Sequence, residues 1–415
     1  MSSNFQEESK GKQKRGEWRL FHAKDFQSLM RPCFTFCRIL GVFPYTINAS
    51  TFEMSKPYCI LSIIVTCVCN IYALITMFNS SVSEKIDMLN LPAFLADRWC
   101  FMLGDFIITV TFILTRPRIR LLQTILKISS RLPAESYEKL SRLIHAKDII
   151  GLICLIGLML PHVYTLQINI LLQVYINLVV FQMDMLYMNC ICILKMCFKR
   201  INDNLAQMRK SIANKEPHVL RLLYHEQRSP LLIMELKALE KQHLIISNTV
   251  QKLNIIFNLQ LFATVAIICH NIIFNVFYNI LSLLFHLLTD TPINLSYHVY
   301  FLLNMGQIFT KIALIVWACE TSKHQALLIN TSIHDVLNCT IDEHIRDELQ
   351  LFSLQTLHCN NTFCVKGFAV DAKLLIGILG SVATHVFIMV QFVLVSCEEK
   401  SGKNVAEIIY NKLFK

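Results

Sequence analysis

Near its carboxyl end the sequence reads THVFIMVQF over 384–392, an apolar run that carries Thr384, His385 and Gln391. A helix in lipid gains nothing from such groups unless they face protein or water. Thr384, Ile388, Gln391 and Val395 fall on one helical face, so that face is either water-lined or a hydrogen-bonding seam with a neighbouring helix. A second set of polar and aromatic residues sits in other apolar tracts: Asp97, Arg98 and Asp105; Tyr164 and Gln167; Gln173, Tyr175 and Asn177; Asn271, Phe274 and Tyr278; Tyr300, Asn304 and Gln307. A pocket for a small polar ligand inside a membrane bundle calls for this mix, since rings cover its apolar surface while amides and carboxylates satisfy its polar groups. Hydrogen bonding between helices is the alternative employment. Asp184 and Lys311 lie deeper, where an isolated charge is costly, and read as a mutual pair or as groups facing a water-filled vestibule. A proton-coupled transporter would also place charges there, but the hydropathy shows no paired repeat with broken helices. Cys359 and Cys364 lack a second Cys/His pair at metal spacing, so no metal site is expected. With no Gly-rich phosphate loop and no Ser-His-Asp constellation, neither an enzyme nor a cofactor is expected.

The elements that must hold these groups are membrane helices. Of 415 residues, 54% are hydrophobic and 16% charged, against roughly 25% charged in a soluble domain. Most of the 16 cysteines are not a secreted disulfide framework, because many, such as Cys67, Cys154 and Cys190, lie inside apolar runs and act there as small hydrophobes. Stretches long enough to cross a bilayer cover 57–78, 92–115, 148–167, 168–198, 253–288, 297–320 and 374–397, with a fold-back after Pro161. Lysine and arginine collect before Pro57, between Arg116 and Lys147, and between Lys199 and Lys252, whereas 165–173 and 287–300 hold none. Because these residues accumulate on the cytoplasmic side, the chain must cross an even number of times between successive clusters. The expectation is an all-α membrane protein with seven transmembrane helices, amino end inside and carboxyl end outside, which is the reverse of a G-protein-coupled receptor. The net charge of +10 is then a topology signal and no nucleic-acid partner is expected. The amino-terminal stretch is polar and basic, without the apolar core of a signal peptide.

This topology divides the chain into a cytoplasmic region 1–56, a six-helix bundle 57–320 with a helical cytoplasmic loop 199–252, a cytoplasmic helix and lead-in 321–370, a seventh helix 371–397 and an extracellular tail 398–415. Sequons at Asn79 and Asn294 fall outside and are the expected glycosylation sites. Inside, Leu232, Leu236, Leu239, Ile246, Val250 and Leu253 recur at helical spacing, with His243 in the gap; Val336 or Leu337, Ile341, Ile345, Leu349 and Phe352 form a second amphipathic stripe. Such helices need a packing partner outside the lipid, within the chain or on another subunit.

The last span resembles the seventh segment of the insect gustatory receptors, which ends in Thr-Tyr, five hydrophobic residues and Gln-Phe. Here Thr384, five apolar residues over 386–390, Gln391 and Phe392 match, and His385 replaces the tyrosine. The lead-in GFAVDAKLL is also similar, and FQMDMLYMNCICILKMCFKRINDNL with LLIMELKALEKQHLIISNTVQKLNIIFNLQLFATV resembles the subfamily numbered twenty-eight in flies. The resemblance implies a tetrameric, ligand-gated, nonselective cation channel of related or identical subunits, in the plasma membrane of sensory neurons, opened by a small-molecule tastant and passing Na, K and Ca. It implies a pore lined by the seventh helix, with Thr384, His385, Ile388, Gln391, Phe392 and Val395 at pore or gate, and a ligand pocket in the outer half of the bundle. His385 would put into that path a group that changes charge near neutral pH, as tyrosine does not. A multispan secondary transporter or an odorant-receptor-like channel subunit of the same inverted topology is the alternative.

Overall fold

The computed structural model describes residues 20–48, 51–83, 91–163, 168–213, 221–289, 292 and 295–399. Helix α1, Phe26–Ile39, opens with a capping box in which Asp25 accepts from the Ser28 backbone N–H and the Ser28 side chain accepts in return. Its apolar stripe, including Phe26, Met30, Phe34 and Cys37, is buried. A hairpin follows, β1 (Tyr45–Asn48) with β2 (Thr51–Met54), paired antiparallel so that Tyr45 faces Met54 and Asn48 faces Thr51. Phe34, Phe43 and Phe52 pack where helix and hairpin meet, Phe34 stacked on Phe43 with ring centroids 4.8 Å apart and Phe52 edge-on to both.

The remaining helices are α2 (Lys56–Ser83), α3 (Leu91–Ile113), α4 (Thr115–Ser129), α5 (Ala134–Val163), α6 (Ile168–Ala213), α7 (Arg221–Thr289), α8 (Leu295–Cys339), α9 (Glu343–His358) and α10 (Ala372–Glu399). Among the described residues six are long and apolar enough to cross a membrane, or seven if the bent pair α3–α4 counts as one span. The bend of that pair, 66°, falls at Leu114. Buried Arg118 sits just after it and reaches back to the Thr111 carbonyl at 3.5 Å, a group the bend takes out of the helical ladder. Its guanidinium also donates to Gln260 at 3.2 Å and lies over the Phe257 ring.

Helix α6 is the axis of the molecule: from Val179 to Leu194 every residue is buried, and α1, α3, α4, α5, α7 and α8 all pack on it. Two glycines allow the approach. A Cβ at Gly104 of α3 would lie 2.1 Å from Ile176, and one at Gly151 of α5 would lie 2.8 Å from Phe181. His145 of α5 fastens the amino-terminal segment, its Nδ1 accepting from the Phe21 N–H at 3.1 Å and its Nε2 meeting the Leu29 carbonyl at 2.9 Å. With Nδ1 as acceptor, the proton resides on Nε2.

Helices α6, α7 and α8 continue past their apolar stretches and pack with α9 into a second layer. The stripe expected along α7 is buried at Leu236, Leu239, Ile246, Val250 and Leu253, and His243, the gap in that stripe, is fully buried as well. Phe198 and Phe352 flank its ring, and Gln355 lies 3.2 Å from its Nδ1. The second expected stripe is not one helix. The chain breaks over 340–342, where Asp342 caps α9 through the His344 and Ile345 N–H groups; Ile341, expected in the stripe, is 81% exposed. The turn-forming, polar Asp342 outweighs the apolar period there. A two-residue hairpin, β3 (Cys364–Val365) with β4 (Phe368–Ala369), leads into α10.

Candidate functional site

The carboxyl-terminal part of α7 carries two parallel ladders at a spacing of four, His270, Phe274 and Tyr278 beside Asn271, Asn275 and Asn279. The rings run in sequence, His270 to Phe274 at 4.4 Å and Phe274 to Tyr278 at 6.3 Å. The amides tie α7 to its neighbours: Asn304 of α8 donates to Asn275 at 3.1 Å, Cys100 of α3 donates to Asn271, and Asn279 meets His298 of α8 at 3.0 Å. Phe274, Asn275, Tyr278 and Tyr297 line an open pocket of about 350 Å³. Its walls offer ring faces and amide groups together, which suits a small ligand with a flat apolar body and a few polar substituents. Tyr278 also packs on Phe277 and Leu281, which close over Val393 of α10. The pocket wall and the last helix therefore share one apolar contact.

A larger cleft of about 1310 Å³ separates α5 from α8. Tyr300 and Gln307 line it, so α8 divides the expected ligand residues: Phe274, Tyr278, Asn271 and Asn304 belong to the α7 side, Tyr300 and Gln307 to the other. The rest lie elsewhere. The Tyr175 hydroxyl donates to the Leu40 carbonyl at 2.6 Å, at the end of α1, and Arg98 donates to the Thr76 carbonyl. Asp105 keeps one buried carboxyl oxygen without a hydrogen-bond partner among the described residues. Gln173 and Asn177 are half-buried on α6 and line neither cavity. The side chains of Asp97, Tyr164 and Gln167 fall outside the described residues, as do those of Asn79, Asn294 and Val395.

The two deep charges meet: Lys311 of α8 contacts Asp184 of α6 at 2.5 Å, and Thr264 of α7 donates to the same carboxylate at 2.9 Å. Asp184 is fully buried, and pairing is what makes its charge tolerable there. Helix α10, by contrast, buries one face alone. Ile378, Val382, Val386 and Val393 are covered, chiefly by α7, while Thr384, Ile388 and Gln391 point away and are exposed. The Thr384 hydroxyl bonds back to the Gly380 carbonyl at 3.0 Å, and His385 lies 2.7 Å from the Ser381 carbonyl. The Gln391 amide has no partner among the described residues. Exposed His385 and Phe392 lie on the flank of this face, not at its centre.

Sequence reasoning missed Asn275, Asn279, His270, Tyr297 and His298. The recurrence of asparagine at 271, 275 and 279 was the available signal.

The sequence model of the 7tm chemosensory receptor family matches residues 30–396. The chain belongs to the 7tm chemosensory receptor family. This is a receptor family, not a family of enzymes. The receptor's fold is similar to that of the insect olfactory receptor OR5 from Machilis hrabei, with a TM-score of 0.65 at 13% identity over 88% of this chain and 98% of that chain. The same olfactory receptor in complex with eugenol gives a TM-score of 0.62 at 12% identity, again over 88% and 98%. At such identities the likeness is one of fold. A search of curated proteins finds no match.

Proposed function

We propose that this receptor is a subunit of a ligand-gated, nonselective cation channel of the taste-receptor type, opened by a small extracellular molecule. The observation that carries the reading is Gln391. Among the described residues it has no hydrogen-bond partner, and it stands with Thr384 on an exposed face of a bilayer-length helix, opposite the face packed on α7. An amide held in lipid is costly, whereas water in a pore between subunits satisfies it. Thr384, Ile388, Gln391 and Val395 form the pore face in this reading, with His385 and Phe392 at its edge. Exposed Leu351, Leu354 and Leu357 on α9 supply the apolar surface for contact between subunits.

The ligand site is assigned to the outer half of α7 and α8, where Phe274, Asn275, Tyr278 and Tyr297 line the pocket, with Asn304 bonded to Asn275 and Asn271 one turn along α7. A flat, partly polar molecule fits these walls, and the structural relative was solved in complex with eugenol. Occupancy reaches the pore helix through Tyr278, Phe277 and Val393. Tyr300 and Gln307 on the opposite side of α8 make the cleft toward α5 a route from the bilayer for lipophilic ligands.

The test is expression in cells without other chemosensory components, with a tastant panel read by calcium entry and whole-cell current. Ligand-evoked inward current with fast onset supports a channel. Substrate uptake without such current points to a transporter built around Asp184 and Lys311.

A further inference from the structure

The inner end of the α5–α8 cleft has a chemistry that neither the pocket nor the pore uses. Over most of its length the lining is apolar, with Ile150, Cys154 and Leu303 on its two walls and Phe181 on its floor. Ile150 and Leu303 are 61% and 60% exposed, so the cleft opens on the lipid-facing surface of the bundle. Arg142, Lys147 and Lys311 line it, and no carboxylate does. Each cation has its carboxylate outside the lining: Glu138 holds Arg142, Asp148 holds Lys147 and Asp184 holds Lys311. An ammonium carries three donors. Lys311 places one on Asp184, and among the described residues no acceptor takes the others.

Depth and size point the same way. Lys147 immediately precedes the charge-free tract of α5 and Arg142 lies just before it, so these two cations sit where that helix leaves the hydrocarbon, with Lys311 deeper on the facing wall of α8. From Arg142 to Pro161, both in the lining, α5 rises roughly 28 Å at ~1.5 Å per residue, close to the thickness of the hydrocarbon core. The volume of about 1310 Å³ exceeds the roughly 300–1,000 Å³ of small-molecule sites. At Gly306 on the α8 wall an added Cβ would meet nothing within 4 Å, so the groove is open beside it.

We propose that an anionic phospholipid of the cytoplasmic leaflet occupies the inner half of this cleft. Its phosphate lies against Lys147, Lys311 and Arg142, and one acyl chain runs along the Ile150 and Leu303 walls past Gly306. The choice of leaflet rests on the orientation proposed above; binding itself does not, and is read without reference to channel activity.

The experiment is native mass spectrometry of the full-length receptor in detergent, titrated with palmitoyl-oleoyl phosphatidylglycerol or with the matching phosphatidylcholine. One phosphatidylglycerol per protomer should bind ahead of any phosphatidylcholine. Arg142→Gln changes an exposed side chain paired with Glu138 at the surface, leaves the fold intact and should weaken phosphatidylglycerol about five-fold, the worth of one interfacial cation. Gly306→Phe fills the groove without disturbing the charges and should abolish the adduct. Inorganic phosphate in millimolar excess should not displace the lipid. Equal binding of the two lipids, an adduct unchanged by Gly306→Phe or by Arg142→Gln, or displacement by phosphate alone would overturn the proposal.

Discussion

Helices α6 and α10 look alike as strings of apolar residues, yet the most apolar window of α6 is 89% buried and that of α10 is 17% buried. Helix α6 is finished by its own chain: its charge at Asp184 is paired, its rings are covered, and its neighbours surround it. Helix α10 has one neighbour of consequence and leaves an amide and a hydroxyl on the opposite face. Passing for a membrane span thus conceals two situations, one helix at the core of the chain and one with a face that the described residues leave uncovered. Substitutions in the first should act on folding, and substitutions in the second on assembly and conduction.

The largest effect should come from unpairing the charge in α6. Lys311→Ala leaves Asp184 buried alone, and a loss of about 3–5 kcal/mol is expected. The measurement is thermal unfolding in detergent together with surface expression. Adding Asp184→Leu should recover most of the loss, since replacing both partners removes the buried charge.

Rings of the same kind give the sharpest contrast. Phe198 on α6 is fully buried and Phe387 on α10 is 64% exposed. Phe198→Ala should cost about 3–5 kcal/mol. In detergent-separated subunits Phe387→Ala should stay within about 0.5 kcal/mol. Comparable losses for the two would erase the distinction.

The second layer responds to acid. Burial pushes His243 down to about 4, while the unfolded chain takes up its proton near 6.5. Its stabilisation is therefore complete above about pH 6.5 and is lost as pH falls toward 4, by up to about 1.4 kcal/mol per unit. His243→Phe should flatten that slope in unfolding midpoints measured between pH 7 and 5. An unchanged slope would assign the acid sensitivity to other groups.

Much of this was legible in advance. Apolar run length marked the stretches that six long helices cover and, over 92–115, the first arm of the bent pair α3–α4; lysine and arginine placement supplied only an expected direction for each. The boundaries of the long helices were less legible, because α6, α7 and α8 run on into polar sequence, where helix propensity and packing against α9 replace hydropathy as the cause. The bend at Leu114 did have a mark, Pro117, which cannot donate to the Ile113 carbonyl four residues back and suits the first turn of a new helix; the apolar run alone concealed it. The separation of Tyr300 and Gln307 from Tyr278 depends on which side of α8 each residue faces, and spacing alone does not say which neighbour lies there. The partners of Tyr175 and His145 come from an amino-terminal segment, 21–40, built around α1, whose capping residues Asp25 and Ser28 were the overlooked sign.

A smaller effect is expected at α7, which touches both helices. Asn304→Ala removes the bond to Asn275, and Tyr278→Ala removes a pocket wall. Each should raise the half-maximal ligand concentration about five-fold, as for roughly 1 kcal/mol, at unchanged surface expression. Unaltered dose-response curves would move the site away from α7.

The most direct test of the contrast is thiol accessibility along α10. With the parent chain as baseline, Thr384→Cys and Gln391→Cys are placed opposite α7, and Val386→Cys is placed against it. During ligand application a membrane-impermeant methanethiosulfonate should progressively and irreversibly block current at Thr384→Cys and Gln391→Cys and leave Val386→Cys unaffected. Block at Val386→Cys with none at Thr384→Cys or Gln391→Cys would contradict the assignment of that face to a water-filled pore.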